Sequence, residues 1–251
     1  MSEWVTGQVV NITYWTDQLF SLIVKAPVNK FIAGQFTRIG IKINNRIIQR
    51  AYSYINAPND TYLEFYIATI SSGKFTPMLH NLRPHDFIML TKESYGHFIL
   101  DEIPNCTNLW MLASGTGIGP YLSILTDNCR NNKLDRFSNI ILIHAVRFAR
   151  NLNYLTRMHK LQCFYRGKLH VYTIISREDS VHSLFGRIPF LIKNDILEAK
   201  VGFKLDNRSS HVMLCGNPYM IRDTKKILQI KYKMQDHYKN KPGHITQERY
   251  W

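Results

Sequence analysis

The stretch LWMLASGTGIGP, residues 109–120, decides how the rest of the chain is interpreted. Its apolar run, Leu109–Ala113, is typical of a parallel strand that helices cover on both faces. Three glycines spaced G-x-G-x-G follow from Gly115 to Gly119, and Pro120 suits the first turn of a helix. Glycines permit a sharp turn, and a helix N-terminus offers free N–H groups to an anion. The stretch therefore predicts a nucleotide-binding strand, turn and helix.

The sequence after this stretch repeats the same alternation. Apolar runs at 139–146, 168–175 and 211–214 are each followed by a longer amphipathic segment, which predicts a parallel sheet covered by helices. A second turn of small residues, CGNP at 215–218, precedes a helix expected over Pro218–Tyr238. Because ligands of open α/β sheets bind beyond the carboxyl ends of the strands, both turns are expected to line one crevice. The first turn lacks the full G-x-G-x-x-G fingerprint, so a tight turn without a ligand is the alternative.

The first hundred residues have a different period. Short runs between turn residues predict antiparallel strands, and closure into a small barrel would hide their edges. A hairpin turn is expected at Asn44-Asn45, and one short helix from Pro77 to Leu82 with Thr76 as its N-cap. The predicted strands are Trp4–Trp15, Leu19–Ala26, Gln35–Ile43, Ile47–Ile55, Leu63–Ile70 and Phe87–Glu93.

These two patterns predict a two-domain chain, with an antiparallel β-barrel over residues 1–101 and an α/β parallel-sheet domain over 102–251. No apolar stretch approaches the roughly 20 residues of a membrane-spanning helix, and the first residues lack the pattern of a signal peptide. We therefore expect a cytoplasmic protein that does not enter a membrane. The four cysteines form no C-x-x-C pair and the ten histidines form no ligand set, so no metal site is predicted.

The charge balance is strongly basic, with 32 Lys and Arg against 18 Asp and Glu, a net +14. Such a balance favours an anionic partner, which includes nucleic acid, anionic lipid, phosphorylated small molecules and acidic proteins. A drift in composition toward lysine would produce the same charge without a function. Seven basic residues in the last predicted helix and its tail fit either a solvated face or a docking surface. They are Arg222, Lys225, Lys226, Lys231, Lys233, Lys239 and Lys241.

A third cluster, Arg50-Ala51-Tyr52-Ser53, lies in the strand-rich half. An arginine offers a fork for phosphate, a tyrosine offers a flat face for stacking, and a serine offers a hydroxyl. On a regular strand Arg50 and Tyr52 share one face, and Ser53 points to the other. A surface arginine, a core tyrosine and a filler serine are the ordinary alternatives. The segment GKFT, residues 73–76, is expected to form another helix N-terminus, which would suit a phosphate. A loop cap without a ligand is the alternative.

These four motifs, in this order, resemble those of the plant-type ferredoxin–NADP⁺ reductase superfamily. They are most similar to its bacterial ferredoxin (flavodoxin)–NADP⁺ reductases. The resemblance extends from WVTG, residues 4–7, to the closing PGHITQERYW, residues 242–251. It implies FAD and NADP(H) as cofactors and an acidic electron carrier, ferredoxin or flavodoxin, as the partner. A monomer without a nucleic-acid partner is expected.

The resemblance assigns FAD mainly to the first half. It implies that Arg50 pairs with the pyrophosphate, that Tyr52 packs on the isoalloxazine ring, and that Ser53 hydrogen-bonds near flavin N5. Plant members end in a tyrosine that covers the flavin, whereas this chain ends in Tyr250-Trp251. The terminal aromatic residues are therefore expected to stack either on the flavin or on a folded-back adenine. A packed terminal tryptophan without a ligand is the alternative. The expected FAD residues are Arg50, Ala51, Tyr52, Ser53, Tyr66, Ile67, Lys74, Phe75, Thr76, Thr116, Tyr250 and Trp251.

The second half is expected to bind NADP(H). Arg177 in SRE and Arg187 in GRI suit the 2′-phosphate, whereas an NAD-specific site would place an acidic residue on the ribose. Solvated surface arginines are the alternative. The expected NADP residues are Arg147, Ser176, Arg177, Arg187, Gly216 and Asn217. The expected catalytic residues are Ser53 near flavin N5 and Cys215, which with Thr116 would pack on the nicotinamide. Glu248 is either a proton-relay or charge-tuning group or a solvent-exposed glutamate.

The predicted activity is hydride transfer between NADP(H) and FAD, with single electrons passing between FAD and the carrier, in the direction from NADPH. One alternative is an NAD(P)H–flavin oxidoreductase of the same superfamily that reduces free flavin or a haem protein. Another, from a different class, is a basic nucleic-acid-binding protein whose barrel is an OB-like module. The colour of the purified protein distinguishes this last alternative, because such a protein would carry no flavin.

Overall fold

The computed structural model describes residues 3–43, 46–70 and 72–250. The chain divides into two compact units, of which unit 1 contains residues 1–100 and 119–131, and unit 2 contains residues 101–118 and 132–251. The helix after the glycine-rich turn therefore groups with unit 1, although the turn itself groups with unit 2. The division into cofactor-binding domains at residues 101 and 102 stays a prediction.

Unit 1 is built on six antiparallel strands in the order β4-β3-β6-β1-β2-β5. The predicted strands are confirmed to within two residues at each end, because turn residues separate the runs. The Ile43↔Arg46 pairing confirms the hairpin between the third and fourth strands, while Asn44 and Asn45 lie outside the described residues. The strands are β1 (Trp4–Thr16), β2 (Leu19–Lys25), β3 (Phe36–Ile43), β4 (Arg46–Ser53), β5 (Leu63–Ala68) and β6 (Phe87–Thr91).

The two edge strands of this sheet, β4 and β5, are joined by the residues just beyond β4. Ile55 N–H donates to the carbonyl of Glu64 at 2.9 Å, and Glu64 N–H donates to Asn56 Oδ1 at 2.8 Å. These bonds occupy edge groups that would otherwise be open. The predicted antiparallel barrel is confirmed, and Phe20 and Phe65 are completely buried in its core.

The first helix, α1 (Phe75–His80), begins two residues before the predicted start at Pro77. The N-cap prediction for Thr76 is therefore wrong, and Lys74 occupies that position. Thr76 Oγ1 instead accepts a hydrogen bond from Ile70 N–H at 2.8 Å, which ties the helix to the chain after β5. A proline in the first turn is tolerated because the N–H groups there have no partner within the helix.

The second helix, α2 (Gly119–Asn128), packs within unit 1. Its Ser123 hydroxyl donates to the carbonyl of Asn56 at 2.7 Å. Just past its end, Arg130 forms a 2.9 Å salt bridge with Asp60. The helix begins one residue before the predicted Pro120 and is buried along most of its length. It therefore contributes directly to the core of the barrel unit.

Unit 2 is built on six parallel strands in the order β10-β9-β8-β7-β11-β12. The four central strands confirm the predicted parallel sheet. The two outer strands were not predicted, because one has only two residues and the other, ITQER, is mostly polar. The strands are β7 (Asn108–Ser114), β8 (Asn139–Val146), β9 (Leu169–Ile175), β10 (Leu184–Phe185), β11 (Ser210–Gly216) and β12 (Ile245–Arg249).

The helices of unit 2 are α3 (Leu155–Phe164), α4 (Ile188–Lys193), α5 (Ile196–Val201) and α6 (Pro218–Lys231). The predicted end of the last helix at Tyr238 is wrong. Lys233 adopts a left-handed conformation with φ +57°, and Met234 N–H turns back to the carbonyl of Leu228 at 3.2 Å. This turn ends the helix and redirects the chain toward β12.

Across the described ranges, no helix combines the length and apolar character needed to span a membrane.

Candidate nucleotide-binding sites

The motif Arg50–Ser53 occupies the last four residues of β4, an edge strand of the barrel. The rings of Tyr52 and Phe75 stack with their centroids 6.3 Å apart and their planes 23° apart. The structure thus brings together the tyrosine and the start of α1. Burial raises the pKa of the Tyr52 phenol, and the positive charge of Arg50 only partly opposes this. The phenol therefore stays neutral at physiological pH.

Arg50 is exposed, and its Nη1 donates to the carbonyl of Gln49 at 2.7 Å. In the part of the chain that the structure describes, Arg50 forms no ion pair, so its guanidinium fork suits a phosphate. Ala51 is exposed beside it, whereas Ser53 is buried and pairs in register with Phe36. Burial therefore increases along the motif from Arg50 to Ser53 and does not alternate from residue to residue, and Tyr52 packs against the barrel core.

The other FAD residues predicted in unit 1 lie on β5 and α1. Tyr66 and Ile67 are buried in β5, where they pair with β2. Ile67 is a core residue of the barrel, so only its backbone is suited to contact a ligand. Lys74 is exposed at the start of α1, while Phe75 and Thr76 are buried. These residues fit a flat ring and a charged phosphate group side by side.

The G-x-G-x-G segment of unit 2 forms a single 3₁₀ turn, Gly115–Ile118. Gly115 has φ +57°, and among the described residues nothing lies within 4 Å of a Cβ built there. At Gly117, in contrast, a Cβ would lie 2.5 Å from the carbonyl oxygen of Cys215. The two glycines therefore have different roles, since Gly115 faces open space and Gly117 permits the turn to pack on β11. Thr116, between them, is buried.

The second predicted turn lies beside the first, because β7 and β11 are neighbours. Gly216 has φ +123°, and a Cβ there would lie 2.4 Å from the carbonyl oxygen of Ser114. Asn217 N–H donates to Ser114 Oγ at 2.9 Å. Asn217 Oδ1 also caps α6 by accepting from the N–H groups of Tyr219 and Met220. The structure thus brings both turns together at the carboxyl edge of the sheet.

Cys215 is completely buried at this edge. Burial raises the pKa of its thiol well above the usual value, and the charge of Glu248 raises it further, while a hydrogen bond with Tyr250 opposes both. The side chain is therefore a neutral thiol at physiological pH, which suits packing rather than nucleophilic attack. Glu248 is half-buried opposite Cys215 in the β11–β12 register, so it is not the exposed glutamate that we considered.

The end of the chain reaches the same edge through β12. Tyr250 N–H donates to the carbonyl of Gly216 at 3.0 Å, which fixes the predicted aromatic residue beside the second turn. Trp251, predicted to belong to the FAD site, lies outside the described residues. The sequence analysis missed β12, although a strand there explains how residues 248 and 250 reach Cys215.

The predicted arginines gather farther along this edge. Arg177 N–H donates to the carbonyl of Arg147 at 3.0 Å, and Ser176 N–H donates to that of Val146 at 3.1 Å, so β8 and β9 end together. Both arginines are exposed. Arg187 also belongs to this edge, because the preceding residue, Gly186, donates its N–H to the last residue of β9 at 2.9 Å. The structure thus brings together Arg147, Ser176, Arg177 and Arg187.

His144 is a site residue that the sequence analysis missed. It is completely buried in β8, and its Nε2 lies 2.9 Å from the carbonyl oxygen of Gly115. Because a carbonyl only accepts, Nε2 carries the proton. Burial lowers the pKa of the ring to about 4, so the ring is neutral at physiological pH. A histidine inside the apolar run NIILIHAV was the available signal.

Within residues 3–43, 46–70 and 72–250, no three His, Cys, Asp or Glu side chains are arranged to hold a metal ion.

Comparison with known proteins identifies relatives over the whole chain. Family models described as "Oxidoreductase FAD-binding domain" and "Oxidoreductase NAD-binding domain" match residues 13–99 and 111–226. The chain is 50% identical over 251 residues to the flavodoxin/ferredoxin–NADP reductase of Escherichia coli (strain K12), covering 100% of both proteins. It is 48% identical over 260 residues to the protein of that name from Buchnera aphidicola subsp. Schizaphis graminum, again covering 100% of both.

A solved structure is similar over the same extent. The crystal structure of a ferredoxin NADP⁺ reductase from Neisseria gonorrhoeae, with bound FAD and NADP, superposes with a TM-score of 0.92. Its sequence is 29% identical, and the match covers 99% of each chain. The predicted two-domain fold is therefore confirmed by an experimentally determined relative.

Proposed function

The chain belongs to the flavodoxin/ferredoxin–NADP reductase family, and from this premise we propose that it transfers electrons between NADP(H) and a ferredoxin or flavodoxin through bound FAD. The observation that best supports this is that one chain matches both an FAD-binding and an NAD-binding oxidoreductase domain. Unit 1 carries the stacked Tyr52 and Phe75 and an exposed Arg50, and unit 2 carries two adjoining glycine turns. Because the chain matches relatives over their whole length, the comparison supports the same overall reaction for this chain.

In the proposed FAD site, Arg50 and Lys74 bind the pyrophosphate, and Tyr52 packs on the isoalloxazine ring. Ser53, buried beside Tyr52, donates a hydrogen bond near flavin N5. FAD supplies the chemistry of accepting a hydride and releasing electrons one at a time. Ala51, Tyr66, Ile67, Phe75 and Thr76 shape the pocket by packing and through backbone groups. Thr116, Tyr250 and Trp251 complete the proposed set.

In the proposed NADP(H) site, the open space at Gly115 admits the nucleotide to the turn, and Gly216 and Asn217 border it. Cys215 packs against the nicotinamide as a neutral thiol and, together with Ser53, serves the reaction by holding the reacting ring. Arg147, Arg177 and Arg187, with Ser176, bind the 2′-phosphate that distinguishes NADP(H) from NAD(H). His144 supports the first turn through its bond to the carbonyl of Gly115.

The proposed partner is acidic, because the chain carries a net charge of +14. Three of the seven basic residues in the last predicted helix and its tail are paired within the fold, and the first of them, Arg222, forms a 2.9 Å salt bridge with Asp223. Lys225 pairs with Asp236 at 2.8 Å, and Lys231 binds the carbonyl of Ile192 at 3.0 Å and the carboxylate of Asp195. The other four, Lys226, Lys233, Lys239 and Lys241, are the candidates for docking the carrier. We further propose that the protein works as a cytoplasmic monomer, that it binds no nucleic acid, and that electrons flow from NADPH.

The visible spectrum of the purified protein tests this proposal. We expect the absorption bands of oxidised flavin, which anaerobic NADPH bleaches and added ferredoxin or flavodoxin restores. A colourless preparation that binds oligonucleotides with a steep salt dependence would overturn the proposal and favour the OB-like alternative. Reduction of free flavin much faster than of either carrier would identify a flavin oxidoreductase instead.

A further inference from the structure

Two arginines contact one aromatic ring just beyond the carboxyl ends of β8 and β9. The guanidinium carbon of Arg150 lies 5.1 Å from the centroid of the Phe148 ring, and that of Arg177 lies 6.0 Å from the same centroid. Cation–π attraction at this distance orients a guanidinium without neutralising its charge. Arg177 is a proposed 2′-phosphate residue, whereas neither Arg150 nor Phe148 has a role in the function proposed above.

The segment that carries Arg150 is fixed to the segment that carries Arg177. Arg177 N–H donates to the carbonyl of Arg147, and Ala149 N–H donates to Glu178 Oε1. Within the first segment, Phe148 N–H donates to Asn151 Oδ1 at 3.2 Å. These bonds fix the backbone on both sides of Phe148 to the residues that follow β9. Both guanidiniums that contact the ring are therefore presented from a defined surface rather than from independent loops.

The arginines at this surface are exposed to solvent. Arg147, Arg150 and Arg177 are all exposed, and in the described ranges none of them forms a salt bridge. The carboxylate of Glu178, which adjoins Arg177, accepts a backbone N–H through one oxygen. Exposed guanidiniums without a carboxylate partner suit an anion with several acceptor oxygens.

We propose that Arg150, oriented by Phe148, is a further specificity-determining residue that binds the 2′-phosphate of NADP(H). The inference rests on the proposed function, because it assigns a ligand to the same site. A phosphate monoester carries close to two negative charges at pH 7 and offers three acceptor oxygens, enough for more than one guanidinium. NAD(H) lacks this group, so Arg150 contributes to binding one dinucleotide and not the other.

The test is a comparison of Arg150→Gln with Arg166→Gln, which removes an exposed arginine from the opposite end of β9. For Arg150→Gln we expect the KM for NADPH to rise about five- to tenfold with ferricyanide as the acceptor, while kcat and the KM for NADH stay unchanged. Arg166→Gln should behave as the wild type. Phe148→Leu, which keeps an apolar side chain but removes the ring face, should raise the KM for NADPH by about two- to threefold.

Binding without turnover provides the second measurement. By calorimetry, Arg150→Gln should weaken adenosine 2′-monophosphate by the same factor as NADPH and leave adenosine 5′-monophosphate unchanged. Equal weakening of both nucleotides, or of neither, would overturn the inference. So would an unchanged KM for NADPH accompanied by a raised KM for the carrier protein, because Arg150 would then belong to the docking surface. If NADPH fails to reduce the wild-type protein, the proposed function itself fails. If NADPH reduces the wild-type protein but Arg150→Gln does not weaken NADPH selectively, only the inference about Arg150 fails.

Discussion

The two proposed nucleotide sites are built on different principles. In unit 1, side chains on an edge strand carry the site: a guanidinium, a stacked ring and a buried hydroxyl within four residues of β4. In unit 2, the backbone carries it, because two turns pack so closely that Gly117 and Gly216 leave no room for a Cβ. Loss of function at the first site should therefore depend on which functional group is removed, whereas the second should fail when a side chain is added at either of these two packed glycines.

Gly117→Ala is the sharpest test of this difference, and Gly115→Ala is its matched control. At Gly117 the added Cβ would lie 2.5 Å from the backbone of Cys215, so we expect the free energy of unfolding to fall by more than about 3 kcal/mol. At Gly115 the space is open and only the positive φ opposes alanine, at about 1 kcal/mol. Denaturant unfolding measures both. Equal losses would show that close packing does not distinguish the two turns.

The buried histidine beneath the first turn predicts a pH dependence with a defined sign. The pKa of His144 is lowered to about 4 by burial, below the value of about 6.5 in an unfolded chain, so the unfolded state binds more protons between these values. The stability conferred by the neutral ring is therefore complete above pH 6.5. It falls by up to about 3 kcal/mol as the pH drops to 4.

The matched variant is His144→Gln, whose amide can still donate to the carbonyl of Gly115 but does not titrate. Its stability should depend less on pH over this range. Part of the dependence should persist, because burial also lowers the pKa of His211, to about 3. Free energies of unfolding at several pH values measure the difference, and identical pH profiles for the two proteins would contradict the assignment.

Ligand binding provides a further test of the comparison, through Arg177 and Arg187. Arg177→Ala combined with Arg187→Ala should weaken NADPH by roughly 30- to 100-fold and barely affect NADH, because two charge-assisted bonds to the 2′-phosphate are lost. Steady-state kinetics with both dinucleotides measure this. Similar losses for NADPH and NADH would show that these arginines do not bind the 2′-phosphate.

The smallest effect is expected at the side-chain site. Tyr52→Ala should weaken FAD binding by about tenfold or more, since stacking on a flat ring contributes roughly 1–3 kcal/mol. Tyr52→Phe keeps the ring and should retain FAD. The ratio of flavin to protein absorbance after dilution and filtration measures retention. Full retention by the alanine variant would contradict the stacking role.

Elements defined by local pattern could be predicted, whereas contacts between distant residues could not. Six strands of the barrel and four of the parallel sheet were found because turn residues interrupt clear apolar runs. The strand Ile245–Arg249 was missed because its polar sequence becomes a strand only through pairing with β11. The Thr76 cap failed for a similar reason, since its hydroxyl binds the chain after β5 rather than the helix.

The same limit applies to the sites. The arginines at 147, 177 and 187 were found from residue type and position after strands, and the structure gathers them at one edge. Arg150 and Phe148 gave no signal, because their relation to Arg177 depends on where two strands end in space. His144 was overlooked in an apolar run, where only its burial beneath Gly115 gives it a role.

The placement of α2 has a consequence for how this chain can be divided. Because residues 119–131 pack with the barrel while the segments on both sides of them group with the sheet, neither unit is one continuous piece of polypeptide. A gene fragment ending near residue 101 would encode a barrel that lacks Tyr121 and Leu122, two completely buried side chains, and would expose the apolar surface they cover. The halves are thus interleaved along the chain, and a recombination that exchanges one of them must carry a short internal insert as well.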